Sequence, residues 1–271
     1  MARSGAIAHQ SQSSLAVSAD GKDWVILNAS PDIRTQLSAS APLWPAALRH
    51  SPLKAVLLTN GDIDHIGGLL TLREKQPFTI HLSQALMDII SANPVFSALD
   101  PEHVMFEVCE MDAWFDAAPS MRAKFFAVPG KVPLYLESAE PDTQLLGGQT
   151  VGAAVEANGA RLLYIPSCAK ITKEIMLLAE NSDAVFFDGT LFRDDEMICA
   201  GLGSKTGFRM GHMPITGEGG SLEVISKLPA LRKIYVHMNN TNPVWLPDST
   251  ERKTVESTGV EIGFDGMEVL L

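Results

Sequence analysis

Short runs of nearly uninterrupted apolar residues alternate along this chain with segments whose apolar positions recur at helical spacing. LAVSADGKDWVIL holds two β-prone runs split by Asp20-Gly21, a pair that tolerates positive φ, and predicts a hairpin. PDIRTQLSAS predicts a short helix with Pro31 in its first turn. SQALMDIISAN predicts a second helix capped by Ser83, and TKEIMLLAEN a third capped by Thr172. This mixture of short strands and amphipathic helices predicts an α/β layered fold. With no internal repeat, low-complexity tract or charged linker, residues 1–271 read as a single domain.

Four segments share one format. LKAVLLTNGDIDH, RLLYIPS, DAVFFDG and RKIYVHMNN each pass through an apolar strand and then deliver a polar residue. Strands apolar throughout suit the interior of a covered sheet, and function in α/β folds gathers where strands give way to loops. The expected convergence brings together Asp62, Asp64 and His65, then Ser167, then Asp188, then His237. Burying a carboxylate costs several kcal/mol unless it is paired or bound to a cation, so such a gathering calls for a metal. Imidazole with carboxylate suits iron(II), zinc or manganese, whereas an all-oxygen site would favour magnesium or calcium. The plainer reading of TNGDIDHIGGL is that Asp62 and Asp64 cap a helix starting near Gly67, with His65 on the surface.

Composition narrows the partners. A formal net charge of −11 and a pI near 5.0 oppose a phosphate-backbone ligand, so no nucleic acid is expected. No apolar run approaches the ~20 residues of a membrane span, and no basic segment leads into an apolar one at the N-terminus, which predicts a cytoplasmic protein without a membrane partner. Cys109, Cys168 and Cys199 form no Cys-x-x-Cys pair and read as buried thiols. His9, His50, His81 and His103 lie outside the strand-end motifs and read as structural or surface residues.

TNGDIDHIGGL resembles the His-x-His-x-Asp-His signature of the metallo-β-lactamase superfamily, with Asn60 and Asp62 standing for its first two histidines and Asp64 and His65 retained. Later segments keep the superfamily's order: Lys131 in AVPGKVPLY replaces a histidine, Ser167 replaces the bridging aspartate, and His237 matches the last histidine. His212 in MGHMPITGEGG, with Asp188, falls where the nuclease branch carries an extra histidine and its acidic partner. The resemblance implies an αββα sandwich. TNGDIDHIGGLL, VPGKVPLY, MGHMPI and VHMNNTNPVW, with NASPDIR and FFDGTLF, are together similar to the coenzyme PQQ synthesis protein B family over nearly the whole chain. That family implies a role in pyrroloquinoline quinone (PQQ) biosynthesis: iron-dependent hydroxylation of the tyrosine ring of a Glu-Tyr fragment from the precursor peptide, with dioxygen as co-substrate. An older assignment of the family is transport of PQQ or a precursor, as a carrier.

The departures from the superfamily pattern shape the expected site. Replacement of three histidines by Asn60, Asp62 and Lys131 should abolish the first of two metal positions, with the Lys131 ammonium there instead, binding a substrate carboxylate or an oxygen species. Asp64, His65 and His237 remain as two histidines and one carboxylate, the ligand set of non-haem iron(II) oxygenases, with zinc able to stand in for iron. Asp62 stays open between a metal ligand, an acceptor for a metal-bound imidazole and a helix cap. His212 with Asp188 reads either as an acid/base pair or as a hydrogen-bonded structural histidine. Asn240 and Asn242, in the amide-rich stretch after His237, are candidates for orienting that histidine or for binding a polar substrate. The rival to an oxygenase is a zinc hydrolase of the superfamily's usual kind, which needs two metals to hold a hydroxide. Family members open with a β-strand and a cysteine cluster that holds a structural zinc. This chain opens MARSGAIAHQSQSS, with no cysteine before Cys109, so that zinc is not expected here. Either the true start lies upstream of Met1 or the first strand is absent, in which case an exposed sheet edge would favour a homodimer.

Overall fold

The first β-prone runs fold as the expected hairpin, β1 (Leu15–Ser18) antiparallel to β2 (Trp24–Leu27), with Gly21 at φ +72° in the turn. The structure, a computed structural model, describes residue 5 and residues 7–73, 75–138 and 142–271. Onto β2 are added, all in parallel, β3 (Leu53–Leu57), β4 (Phe78–Leu82) and β5 (Val104–Val108), giving a sheet ordered β1-β2-β3-β4-β5. Parallel neighbours need long crossovers. Here these carry α1 (Ile33–Ala39), the single turn α2 (Ile63–Ile66) and α3 (Gln84–Ser91).

A second sheet begins as an antiparallel meander of β6 (Trp114–Ala118), β7 (Met121–Ala127), β8 (Val151–Ala157) and β9 (Ala160–Ile165). It continues in parallel through β10 (Ala184–Asp188), β11 (Arg232–Val236) and β12 (Glu261–Ile262), in the order β12-β11-β10-β9-β8-β7-β6. The helix α4 (Lys173–Glu180) precedes β10. The short turns α5 (Glu196–Cys199), α6 (Gly207–Met210) and α7 (Leu222–Ile225) fill the crossover to β11, and α8 (Thr250–Glu256) that to β12.

Successive strand residues point to opposite faces, and this divides the apolar side chains among three layers. Val25, Leu27, Ala55 and Leu57 of the first sheet meet Phe125, Tyr164, Phe186 and Ile234 of the second, forming the core between the sheets. Ile26, Val56 and Ile80 face outward and are covered by Ile33, Leu86 and Ile90 of the helices. Phe126, Leu163, Phe187 and Tyr235 face the other way, against Ile175, Leu222, Ile225 and Val255. Strands apolar on both faces are therefore buried on both faces, and the result is the αββα sandwich that the resemblance implied.

The local signals agree in most places. Ser83 Oγ accepts from Leu86 N and Thr172 Oγ1 from Ile175 N, both at 3.2 Å, so both expected caps form. Two readings need correction. The helix after Pro31 starts at Ile33, with Asp32 at its N-cap, so the proline lies before the first turn. Cys109 and Cys168 are buried thiols, but Cys199 is exposed. Among the described residues no helix is long and apolar enough to cross a membrane.

Phe125 is fully buried between the sheets, so Phe125→Ala should lower unfolding free energy by about 3–5 kcal/mol, by lost transfer and an unfilled cavity. Urea denaturation followed by circular dichroism checks this; a shift as small as that of a surface mutation would place the main core elsewhere.

Candidate metal centre

The site lies where strands of both sheets end. After β3, Thr59 N donates to Asn28 Oδ1 at 2.9 Å and Asn28 Nδ2 donates to Thr59 Oγ1 at 2.8 Å, which ties the end of β2 to the end of β3. Asn28 does this from a left-handed backbone, φ +64°, a conformation that asparagine tolerates better than most residues. The next turn, α2, is locked down by Ala29 N donating to His65 O and Gly68 N donating to Ala29 O, each at 2.8 Å. A Cβ on Gly68 would lie 2.0 Å from Ser30 O. That contact is the physical reason for glycine after Asp-His-Ile-Gly.

Asp64 and His65 ride on this turn, and His237 arrives from the end of β11 with φ +59°. A left-handed conformation costs a non-glycine residue roughly 1–2 kcal/mol, and here it turns the ring toward the other sheet's residues. His237 Nε2 lies 3.1 Å from Asp64 Oδ2, and the His65 and His237 rings meet edge to face with centroids 4.9 Å apart. One ligand atom from each of Asp64, His65 and His237 falls within 4.8 Å of the others. His65 is buried and neither ring nitrogen has a hydrogen-bond partner, an arrangement that costs about 1–3 kcal/mol for an unsatisfied polar group. Burial, opposed in part by Asp64, lowers its pKa to about 3. The ring is therefore neutral at physiological pH, the form that ligates metals. An orphaned neutral imidazole beside a carboxylate and a second imidazole fits a divalent ion of the iron–zinc class.

Asp188, at the end of β10, stands behind this group. It is fully buried, and four donors surround it: Thr190 N (3.0 Å) and Thr190 Oγ1 (2.6 Å) on Oδ1, Cys168 N (2.9 Å) and His212 Nδ1 (2.7 Å) on Oδ2. Burial works against its charge, but the His212 charge and hydrogen bond prevail and its pKa is lowered. With its one proton given to Asp188, Thr190 Oγ1 is the acceptor for His237 Nδ1–H at 2.9 Å. This leaves His237 Nε2 to face Asp64 or an ion. The His212 ring stacks on that of His237 with centroids 5.4 Å apart. Asp188, His212 and His237 thus form a second group within ligand distance, sharing His237 with the first.

Burial opposes a proton on His237, yet the hydrogen bond to Asp64 and the charges of Asp64, Asp188 and Asp62 outweigh it and raise its pKa. Asp64 is held well below the usual carboxylate range: burial would raise it, but the His237 hydrogen bond and the charges of His65 and His237 pull it down.

The remaining sequence candidates are placed as follows. Asp62 sits at the N-cap of α2 without capping it; its Oδ1 accepts from Leu134 N at 2.9 Å, outside the Asp64–His65–His237 group. Asn60 Oδ1 accepts from Asp62 N at 3.0 Å and its Nδ2 reaches Ser167 Oγ at 3.4 Å. Lys131 Nζ pairs with Glu137 Oε1 at 2.7 Å, and its stem packs 3.2 Å from where a Gly211 Cβ would be, beside His212. Asn242 is buried, donating to Gly189 O at 2.8 Å and accepting from Val244 N at 3.1 Å, so its amide is committed to the loop; Asn240 is exposed. Sequence reasoning missed Thr190, Asn28 and Glu137. For Thr190 a signal existed, a hydroxyl two residues after the strand-end aspartate. Glu137 joins Lys131, Lys205 and Arg209 through contacts of 2.7–3.6 Å that no local pattern announces.

Residues 23–238 match the family described as Beta-lactamase superfamily domain. The chain is 57% identical over 262 residues, 97% of its length and 86% of the relative's, to a coenzyme PQQ synthesis protein B of Rhizobium meliloti (strain 1021). It is 51% identical to that of Methylobacterium sp. (strain 4-46), over 97% of this chain and 88% of the relative's. Among solved structures it is similar to Zn(2+)-bound PqqB from Methylobacterium extorquens, with a TM-score of 0.96, 45% identity, and coverage of 100% of this chain and 91% of that one. The metallo-β-lactamase fold protein YhfI from Bacillus subtilis, at 15% identity and a TM-score of 0.66 over 96% of this chain and 92% of that one, shares the fold.

Two outcomes are expected. Thr190→Val keeps the shape but removes the acceptor for His237 Nδ1–H, and should weaken metal binding about 10–100-fold, as loss of a partner that orients a ligating imidazole does; titration calorimetry measures it, and unchanged affinity would discard the relay. A metal must also displace the proton that His237 holds against Asp64. A raised pKa extends that competition above the usual ~6.5, so affinity should climb as pH rises through that region and beyond, and acid should release the ion. In the metal-free protein the sign reverses: the protonated His237 contributes stability present below ~6.5 and lost as pH rises through its raised pKa. Flat affinity between pH 6 and 8 would exclude a protonated His237.

Proposed function

The chain belongs to the coenzyme PQQ synthesis protein B family, a branch of the β-lactamase superfamily, and we propose that in PQQ biosynthesis it hydroxylates the tyrosine ring of a Glu-Tyr precursor fragment, using iron(II) and dioxygen. The observation that supports this reading is the donor set of Asp64, His65 and His237, with both His65 nitrogens orphaned in a buried position. Two imidazoles and one carboxylate leave coordination positions open on an ion. A ferrous ion held there would supply activation of dioxygen, one oxygen atom entering the ring and the other leaving as water, with the two electrons and two protons supplied by an external reductant.

The chain's own residues supply position and proton transfer. Asp188 holds Nδ1–H of His212 at 2.7 Å, so Nε2 keeps the lone pair and serves as the base for the phenol or the hydroxylated ring carbon. Thr190 holds Nδ1–H of His237, leaving Nε2 to the metal. Lys131, Lys205 and Arg209 gather at Glu137, and Lys131, whose stem lies beside Gly211 next to His212, is the cation suited to a carboxylate of an acidic dipeptide. A hydrolase with hydroxide between two metals finds less support, because Asn60, Asp62 and Lys131 are each bound to groups of the protein. Zinc suits the same three donors, so metal identity belongs in the test.

After anaerobic reconstitution with iron(II) and admission of air in the presence of a chemical reductant such as ascorbate, mass spectrometry should find a Glu-Tyr peptide heavier by one oxygen. His65→Ala and His237→Ala should lose the iron while circular dichroism is retained. His212→Ala should keep iron and substrate but form product about 10²–10⁴-fold more slowly. Zinc-dependent hydrolysis with two metals at this centre would overturn the reading in favour of a hydrolase, and tight PQQ binding without any metal in favour of a carrier.

A further inference from the structure

The donors at the strand ends above contain no sulfur. A separate group, sharing no residue with them, does. In the parallel register of β4 and β5, His81 lies directly beside Glu107, so both side chains leave the same face of the sheet. Cys109, two residues beyond Glu107, returns to that face, and its backbone N–H is held by Leu82 O at 2.9 Å. His81 and Cys109 are buried while Glu107 is half exposed at the outer edge. Phe115 of β6 stacks on the imidazole with centroids 4.8 Å apart and fixes its plane.

In the metal-free protein the thiol lies within long S–H hydrogen-bond reach of His81 Nδ1 and of Glu107 O, each at 3.6 Å, while the imidazole and the carboxylate stand apart. His81 Nδ1 is 3.6 Å from Glu107 Oε2, longer than an N–H···O bond. It is also 3.6 Å from Cys109 Sγ, and one donor atom from each of the three lies within 4.8 Å of the others. Around a tetrahedral zinc with bonds of about 2.0–2.3 Å, ligand atoms sit roughly 3.2–3.8 Å apart. The two distances from His81 Nδ1, to Glu107 Oε2 and to Cys109 Sγ, fall in that range. A cavity of about 370 Å³, lined by His81, Glu107, Thr79 and Asp116, opens beside them and gives an ion and a water a way in.

We propose that His81 Nδ1, Glu107 Oε2 and Cys109 Sγ form a second metal site, which takes a zinc-class divalent ion with water as fourth ligand. The chemistry of the donors agrees: burial, with Glu107's charge added, pushes the Cys109 thiol up to about 12, so a thiolate there requires a cation. Burial also lowers the His81 pKa, which keeps the ring in its ligating form. The ion would clamp edge strand β5 to β4 under the cover of β6.

Cobalt(II) tests the site independently of the function proposed above, because only a thiolate ligand gives sulfur-to-cobalt charge transfer in the near ultraviolet. The full-length protein titrated with cobalt should develop that band. Cys109→Ser should abolish it and bind one metal fewer per chain, and Glu107→Gln, altered only at a half-exposed carboxylate, should weaken the band's titration at least tenfold while the thermal transition of the metal-free protein stays put. Cys199→Ser should change nothing. Absence of the band in the wild type, its survival in Cys109→Ser, or its loss in Cys199→Ser would each overturn the proposal.

Discussion

The metal centre is organised around one buried carboxylate. Asp188 is closed off from water at the end of an interior strand, and a charge there is tolerable only because four donors reach it and an imidazole shares its charge. The consequences run outward from it. Thr190, having spent its proton on Asp188, becomes an acceptor, which sets the tautomer of His237. His212, donating through Nδ1, keeps its other nitrogen basic. Even the placement of the β9–α4 loop follows, since Cys168 N is one of the four donors. The two aspartates have divided roles: Asp188 is saturated by the protein's own donors, while Asp64 Oδ2 faces His237 Nε2 at 3.1 Å and His65 Nε2 at 3.6 Å.

Stability and binding are in tension at this point. An orphaned imidazole and a histidine in the left-handed region together cost roughly 2–5 kcal/mol, a large fraction of the 5–15 kcal/mol that separates folded from unfolded states. The sandwich tolerates this because its three apolar layers lie between and outside the sheets, away from the strand ends. An ion bound to His65 would give its orphaned nitrogen a partner and so offset part of that cost.

What was legible in the sequence was whatever depends on neighbours in the chain. The hairpin at Asp20-Gly21, the caps at Ser83 and Thr172, and the strand-then-polar format of four segments all follow from local chemistry, and that format is what brought Asp64, His65, Asp188 and His237 to attention together. The errors arose where a distant partner decides. Asp62 has the right residue type for a cap, but Leu134 N, across the fold, claims its carboxylate. Asn242, read as part of a loop folded by side-chain to backbone bonds and as a substrate contact, serves the loop, its amide held by Gly189 O and Val244 N. Glu137 is an unremarkable acid in a loop and becomes important only when Lys131, Lys205 and Arg209 fold around it. His81 and Cys109 were read as structural residues one at a time; their neighbourhood exists only through the register of β4 against β5.

The fold itself settles little about chemistry, since proteins of 15% identity share it. The two sides of the strand edge differ in what their side chains bind. On one side Asn60, Asp62 and Lys131 are each turned to a protein partner, a backbone amide or a carboxylate, and the positive charge is supplied by a lysine fixed by Glu137. The ammonium, paired with Glu137, occupies that side without lowering the pKa of a bound water as a metal does. On the other side the donors remain, with imidazole, carboxylate and a tautomer-fixing relay behind them. One side of the strand edge is thus closed by the protein's own hydrogen bonds and ion pair, and the other keeps three potential ligands together, so metal ligation, where it occurs, is confined to one side.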